Sequence, residues 1–196
     1  MVSVSPKRLL GKWTDGYALD LHTLSSDFLG HDEWGNARFD SKRSEMGELL
    51  YRLKYHSDKT VIRIITETVV DFVRAQAWEV DLVIPVPPSR PRAFQPVLVL
   101  AEAIAGDLSV AFCGDCVVKV RDTPELKGVF DFSKRQTLLR DAYAVSKKAL
   151  SGKRVLLFDD LYRSGATINA ISTALAQDGD IIALYVVTLT MTRTTQ

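Results

Sequence analysis

Two adjacent carboxylates stand at the end of an apolar run in the second half of the chain. The run RVLLF at 154–158 leads directly into Asp159 and Asp160, and the turn SGAT follows at 164–167. A short continuous apolar run is typical of a buried strand, and ligands in open α/β sheets bind at the carboxyl ends of such strands. The spacing therefore predicts a binding site formed by a strand end, a turn and the start of a helix at 166–177.

The turn and the acidic pair suit different parts of one ligand. Unpaired N–H groups at a helix N-terminus attract phosphate, and Gly165 lets the backbone approach it closely. The hydroxyls of Ser164 and Thr167 add donors. Asp159 and Asp160 would repel a phosphate, so sugar hydroxyls and a hydrated Mg²⁺ are their natural partners. The pattern indicates a site for a ribose 5-phosphate.

Other acidic sites fit this segment less well. A haloacid-type phosphatase would need Asp-x-Asp after its strand, and a receiver domain would carry its acidic pair near the N-terminus. The phosphate-binding loop G-x-x-x-x-G-K-[ST] is absent, because Gly152 and Lys153 are followed by Arg154. A purely structural role, in which Asp159 and Asp160 cap a turn after a buried strand, stays open.

Strand and helix patterns alternate around the acidic pair. Strand-type runs at 79–86, 154–158 and 181–190 are separated by helical patterns at 93–105 and 166–177. Strands that alternate with helices predict a doubly wound α/β fold whose sheet is mainly parallel and covered on both faces.

The first 45 residues do not continue this alternation. The segments 16–24 and 37–39 favour a small antiparallel lobe, whereas 58–76 carries apolar residues at helical spacing. We therefore divide the chain into an N-terminal lobe at 1–45 and a main domain at 46–196.

Composition and charge narrow the class of protein. Apolar residues make up 46% and charged residues 25% of the 196 residues, as in an ordinary globular protein. The net charge of +1 does not indicate a nucleic-acid partner. The apolar runs are too short to span a bilayer, and the N-terminus lacks the pattern of a secretory signal. We expect a cytoplasmic protein with no membrane partner.

The two cysteines and three histidines form no pattern of a metal or redox site. Cys113 and Cys116 are too few for a disulfide scaffold, and we expect reduced thiols. A closed zinc site needs four ligands, and no second pair or nearby histidine completes one. A thioredoxin-like pair would open a helix, whereas these cysteines lie between predicted strands. The histidines His22, His31 and His56 are scattered.

The segment 155–167 resembles the phosphoribosyl pyrophosphate (PRPP) signature of type I phosphoribosyltransferases. The resemblance implies that fold with a flexible hood, and it implies that Asp159 and Asp160 are catalytic, hold the ribose hydroxyls and bind Mg²⁺ through water. Tyr162 stands where the signature prefers an aliphatic residue. The 5-phosphate would lie on Arg163, Ser164, Gly165, Ala166 and Thr167.

Four segments, at 49–59, 81–94, 125–145 and 152–160, resemble the ComF competence-protein family. Their resemblance implies a basic hood at 119–142. Arginine is suited to a pyrophosphate loop because its planar fork pairs with two phosphate oxygens. The implied pyrophosphate loop comprises Pro87, Pro88, Ser89, Arg90 and Arg92. The hood residues that we expect at the pyrophosphate are Lys119, Arg121 and Lys127.

The resemblance implies a reaction and leaves a second function open. PRPP with Mg²⁺, or a nucleoside monophosphate in the reverse direction, would exchange its phosphoribosyl group with a nitrogenous acceptor, with pyrophosphate as the other product or substrate. The alternative is a non-catalytic binding or regulatory module, linked to DNA uptake or nucleic acid. A homodimer is compatible with either function.

Overall fold

A six-stranded sheet forms the centre of the computed structural model, which describes residues 2–88, 93–121, 139 and 142–193. The strand order is β1-β2-β10-β9-β5-β6, and every neighbouring pair except β1 with β2 is parallel. These six strands are β1 Lys7–Arg8, β2 Asp15–Leu21, β5 Leu82–Pro85, β6 Ala111–Phe112, β9 Arg154–Tyr162 and β10 Ala183–Met191. Two antiparallel ribbons pair β3 Thr23–His31 with β4 Ala37–Arg43, and β7 Val117–Lys119 with β8 Tyr143–Val145.

Helices cover both faces of this sheet. They are α1 Glu45–Tyr55, α2 Val61–Ala75, α3 Pro96–Leu108, α4 Lys147–Leu150 and α5 Ala166–Asp178. Leu156 and Phe158 of β9 pack on the side of α1, α2 and α3, while Val155 and Leu157 pack on the side of α5. The predicted α/β fold with a mainly parallel sheet is confirmed. No helix within the described residues is both long and apolar enough to span a membrane.

The segment predicted as part of an antiparallel lobe belongs largely to the central sheet. β2 pairs in parallel with β10, and Ala18 and Leu19 are fully buried on its two faces. The expectation of a lobe strand is therefore wrong for 16–21, because these residues pair with β1 and β10 within the central sheet. The antiparallel partner of β4 is β3 instead. β1 and β2 thus join residues before 45 to the sheet of the main domain.

The ribbon of β7 and β8 leaves the sheet beside β6. Val120 N–H donates to the carbonyl oxygen of Ala142, which extends the pairing by one step. The predicted hood at 119–142 begins and ends on this ribbon. Lys127 and most of that segment lie outside the described residues.

Cys113 and Cys116 are joined in a disulfide between β6 and β7. The expectation of reduced thiols is therefore wrong for this structure. The intervening turn of Gly114 and Asp115 brings the two Cα atoms to 5.5 Å, which is within the range that a disulfide can bridge. The sequence gives the spacing of the two cysteines but not the turn that brings them together.

Candidate functional site

The candidate site lies at the carboxyl edge of the three neighbouring strands β5, β9 and β10. Pro85 pairs with Phe158, and Val86 N–H donates to the Phe158 carbonyl oxygen at 2.8 Å. The chain therefore leaves β5 beside the acidic pair. Of the predicted pyrophosphate loop, Pro87 and Pro88 are found directly after this contact. The remaining three members, Ser89, Arg90 and Arg92, lie outside the described residues.

Asp159 and Asp160 lie on opposite faces of β9, because consecutive side chains of a strand alternate. Asp160 is on the side of α1, where its Oδ2 lies 2.6 Å from the Nζ of Lys54. Only 20% of the Lys54 side chain and 15% of the Asp160 side chain are exposed. Asp159 is on the side of α5, where its charge acts on Tyr143. The two carboxyl groups therefore have different surroundings.

Burial is the largest influence on Asp159. Together with the charge of Asp160, burial raises the pKa of Asp159 to about 8. The Asp160 N–H donates to Asp159 Oδ1 at 2.8 Å, and this bond and the charge of Lys54 lower the pKa by less than burial raises it. Burial and the neighbouring carboxylate therefore favour the protonated form of Asp159 in the absence of a ligand.

The raised pKa predicts that Asp159 makes the fold less stable as pH rises from about 4 towards about 8. In this interval the folded chain keeps a proton that the unfolded chain has lost, so the free energy of unfolding falls by up to about 1.4 kcal/mol per pH unit. Asp159→Asn should remove this dependence. Urea unfolding of both proteins at pH 5, 6, 7 and 8 measures it, and parallel curves for the two would contradict the assignment.

Two polar side chains, those of Thr190 and His22, support the backbone at Asp160. Thr190 is buried, and its Oγ1 donates to the Asp160 carbonyl oxygen at 3.2 Å and lies 3.3 Å from His22 Nδ1. Burial, followed by the charges of Lys54 and Arg43, lowers the pKa of His22. His22 is therefore neutral at pH 7 and fixes the strand end without adding charge.

The turn after β9 has the geometry that a glycine requires. Gly165 has φ +72° and caps the N-terminus of α5, where its carbonyl oxygen accepts from the backbone N–H of Asn169. A Cβ at this position would lie 2.6 Å from Cζ of Tyr162, so the phenol crosses directly over the turn. The N-cap residue is this glycine, which has no side chain to cap the helix, and no acidic residue lies in the first turn.

The other predicted phosphate residues surround this turn. Arg163 is exposed, whereas Ala166 is buried. Ser164 is half-buried. Thr167 is hydrogen-bonded to the side chain of Tyr143, whose pKa is raised chiefly by burial. The turn is therefore tied to the ribbon of β7 and β8.

Two predicted hood residues are described. Lys119 stands directly opposite Tyr143 in the antiparallel pairing of β7 with β8. Residues opposite each other in such a pair share one face, so Lys119 lies beside the residue that contacts the turn. Arg121 follows one residue after Val120, the last residue whose N–H extends the ribbon pairing.

The acidic pair fits a magnesium ion that is held mainly by water and by the phosphates of a bound substrate. Mg²⁺ keeps several waters and takes one or two carboxylates together with substrate phosphates. One oxygen of each carboxyl group has a protein partner, the N–H of Asp160 for Asp159 and Lys54 for Asp160. Two carboxyl groups side by side at a strand end are the kind of ligand that a hydrated Mg²⁺ takes, so this pair fits binding through water.

Sequence reasoning missed several residues that contact the site. Four of them come from segments outside residues 155–167, namely Lys54, His22, Thr190 and Tyr143. Local spacing carries no signal for them, because each reaches the site through strand pairing or helix packing. The opposite faces of Asp159 and Asp160 do have a signal, since the alternation of a strand follows from their adjacency.

Comparisons with known proteins add a distant likeness of structure. No protein-family model matches the sequence, and no curated protein matches it. One similar structure is the adenine phosphoribosyltransferase of Saccharomyces cerevisiae, with 14% identity, a TM-score of 0.47 and 85% of each chain covered. The glutamine PRPP amidotransferase of B. subtilis, complexed with ADP and GMP, has 19% identity and a TM-score of 0.49.

The UMP synthase of Leishmania donovani is also similar, with 18% identity and a TM-score of 0.42. The alignments cover 79% of this chain and 26% of the synthase, and 81% of this chain and 34% of the amidotransferase. This chain therefore spans about a quarter to a third of those two proteins. At such values the likeness is distant, and it decides neither the ligand nor the reaction of this chain.

Proposed function

We propose that the chain binds PRPP with Mg²⁺ and transfers its phosphoribosyl group to or from a nitrogenous acceptor. The observation that carries this proposal is the adjacency of the acidic pair on β9 to the helix N-terminus that follows the Gly165 turn. One strand–turn–helix unit thus offers carboxylates for a diol and amide donors for a phosphate. The resemblance of residues 155–167 to the PRPP signature supports the same ligand.

Each end of the sugar phosphate has its own partners in this proposal. The 5-phosphate lies on the backbone amides of 164–167, where the partial positive charge of α5 and a first helical turn without acidic residues favour an anion. Asp160, held in place by Lys54, accepts hydrogen bonds from the ribose hydroxyls. Asp159 faces the same ligand from the α5 side of the strand.

Mg²⁺ would be held through water by Asp159 and Asp160, and it would neutralise charge on the pyrophosphate when bound. The protein's own contribution is positioning and electrostatic stabilisation. Lys119 lies on the ribbon next to Tyr143 and brings a positive charge towards the turn. Arg90 and Arg92 would complete the cation set around the leaving pyrophosphate. Exclusion of water favours transfer over hydrolysis.

A binding module without turnover is the second candidate function. The position of Tyr162 favours this module. The PRPP signature prefers an aliphatic residue here, and the phenol of Tyr162 lies over the turn instead. The resemblance to the ComF family also agrees with a role in DNA uptake. Both functions require the same sugar-phosphate site and differ only in turnover.

Calorimetric titration of the full chain with PRPP, with and without Mg²⁺, tests the proposal. We expect binding that Mg²⁺ strengthens, followed by pyrophosphate release when a panel of nucleobases is added. Binding without release from any nucleobase would favour the module. The absence of binding to both PRPP and ribose 5-phosphate would overturn the site itself.

A further inference from the structure

The Cys113–Cys116 disulfide closes the corner between the central sheet and the β7–β8 ribbon. Cys113 N–H donates to the carbonyl oxygen of Val83 on β5 at 3.1 Å. Ser146 N–H donates to the carbonyl oxygen of Cys116 at 2.8 Å, directly after β8. Each cysteine therefore ends one hydrogen-bonded ladder, and the covalent bond joins the two ladders.

The two sulfur atoms differ in access. Cys116 is 1% exposed and packs in the apolar cluster that includes Val117 and Leu150. Cys113 is only half-buried, and the two residues of the turn, Gly114 and Asp115, are exposed. Cys113 is therefore the cysteine more open to a thiolate from solvent.

We propose that Cys113 and Cys116 form a reversible thiol–disulfide exchange site that takes a small dithiol. A thiolate of the dithiol attacks Cys113 Sγ, the S–S bond breaks, and Cys116 leaves as a thiolate that takes up a proton. The second thiol of the reagent then attacks the reagent sulfur of the mixed disulfide and releases Cys113. Two electrons pass from the dithiol to the protein, and an oxidised dithiol reverses both steps.

Asp115 controls the rate of this exchange. Its Oδ1 lies 3.4 Å from Cys113 Sγ, so its charge repels an approaching thiolate. The same charge disfavours the thiolate that forms on Cys113 in the second step. Asp115 therefore protects the disulfide against anionic thiols, and its removal should speed reduction.

Reduction should also loosen the ribbon. The covalent bond holds the start of β7 against the end of β6, and β7 supports β8 with Tyr143 through the antiparallel pairing. Without the bond, the start of β7 is no longer held at the end of β6, so the ribbon opens more readily and the β8 amides should exchange their hydrogens faster. The exchange site does not depend on PRPP binding, since both disulfide reduction and hydrogen exchange are measured without PRPP.

The experiment reduces the native chain with dithiothreitol, alkylates it and measures its mass over time. We expect two alkyl groups per chain, reversal by oxidised dithiothreitol, and reduction about threefold faster in Asp115→Asn. The matched control is Asp178→Asn, an exposed substitution on α5. Its disulfide should be reduced at the same rate as that of the parent protein. Hydrogen exchange in 143–145 should rise on reduction.

Single cysteine variants test the difference in access. Cys116→Ser leaves Cys113 alone and should be alkylated at least about threefold faster than Cys113→Ser, in which the remaining thiol is buried. Equal alkylation rates would overturn the assigned point of attack. Reduction only after unfolding in urea, or identical rates for Asp115→Asn and Asp178→Asn, would overturn the exchange site.

Discussion

Alanine at Gly165 should weaken the binding of ribose 5-phosphate at least about tenfold, whereas alanine at Gly152 should leave it unchanged. Both glycines have a positive φ, +72° and +69°, so both substitutions carry a backbone strain of about 1–2 kcal/mol. Nothing lies within 4 Å of a Cβ at Gly152. At Gly165 the same Cβ overlaps the ring of Tyr162, which must move beside the turn whose amides would bind phosphate.

Two measurements on each variant separate the effect of backbone strain from the effect of overlap with the Tyr162 ring. They are calorimetric titration with ribose 5-phosphate and thermal unfolding. The Gly165 variant should lose more stability than the Gly152 variant, since only it displaces a side chain. In a Tyr162→Ala background, Gly165→Ala should cost less stability than in the parent chain, because the overlapping ring is gone. Unchanged affinity in Gly165→Ala would mean that the phosphate does not lie on this turn.

The strands and helices nearest the site were predictable because their patterns are local. Residues 155–158 are fully buried in β9, as a continuous apolar run between two neighbouring strands requires. The helix predicted at 166–177 is α5, and the apolar stripe at 58–76 is α2. The helix predicted from 93 begins only at Pro96, in agreement with the preference of proline for a first turn.

Long-range pairing was not predictable in the same way. The seven-residue run that forms β2 carries an aspartate near each end, Asp15 and Asp20, and only its pairing with β10 makes it part of the central sheet. Likewise, Lys54 reaches Asp160 on β9 because α1 packs against the neighbouring strands β10 and β2. Sequence spacing encodes the chemistry of one strand–turn–helix unit, whereas the partners of that unit depend on how distant elements pack.

Asparagine at both Asp159 and Asp160 should weaken PRPP binding at least about tenfold, and the single variants should differ in stability. Asp160→Asn leaves the ammonium group of Lys54 mostly buried without its charged partner, which should cost about 1–3 kcal/mol. Asp159→Asn removes a carboxyl group whose ionised form is disfavoured by burial, so it should stabilise the fold at pH 8.

Asp81→Asn is the matched control for this loss of affinity. Asp81 is also a salt-bridged carboxylate beside β9, but at the opposite end, where Arg154 Nε and Nη2 donate to it at 2.8 Å each. Its removal should lower stability and leave the PRPP affinity unchanged, as measured by urea unfolding and calorimetry. Only the end of β9 that carries Asp159 and Asp160 meets the proposed ligand. If Asp81→Asn lost as much PRPP affinity as the double variant, the loss would therefore come from a weakened β9 and not from lost contacts with the ligand.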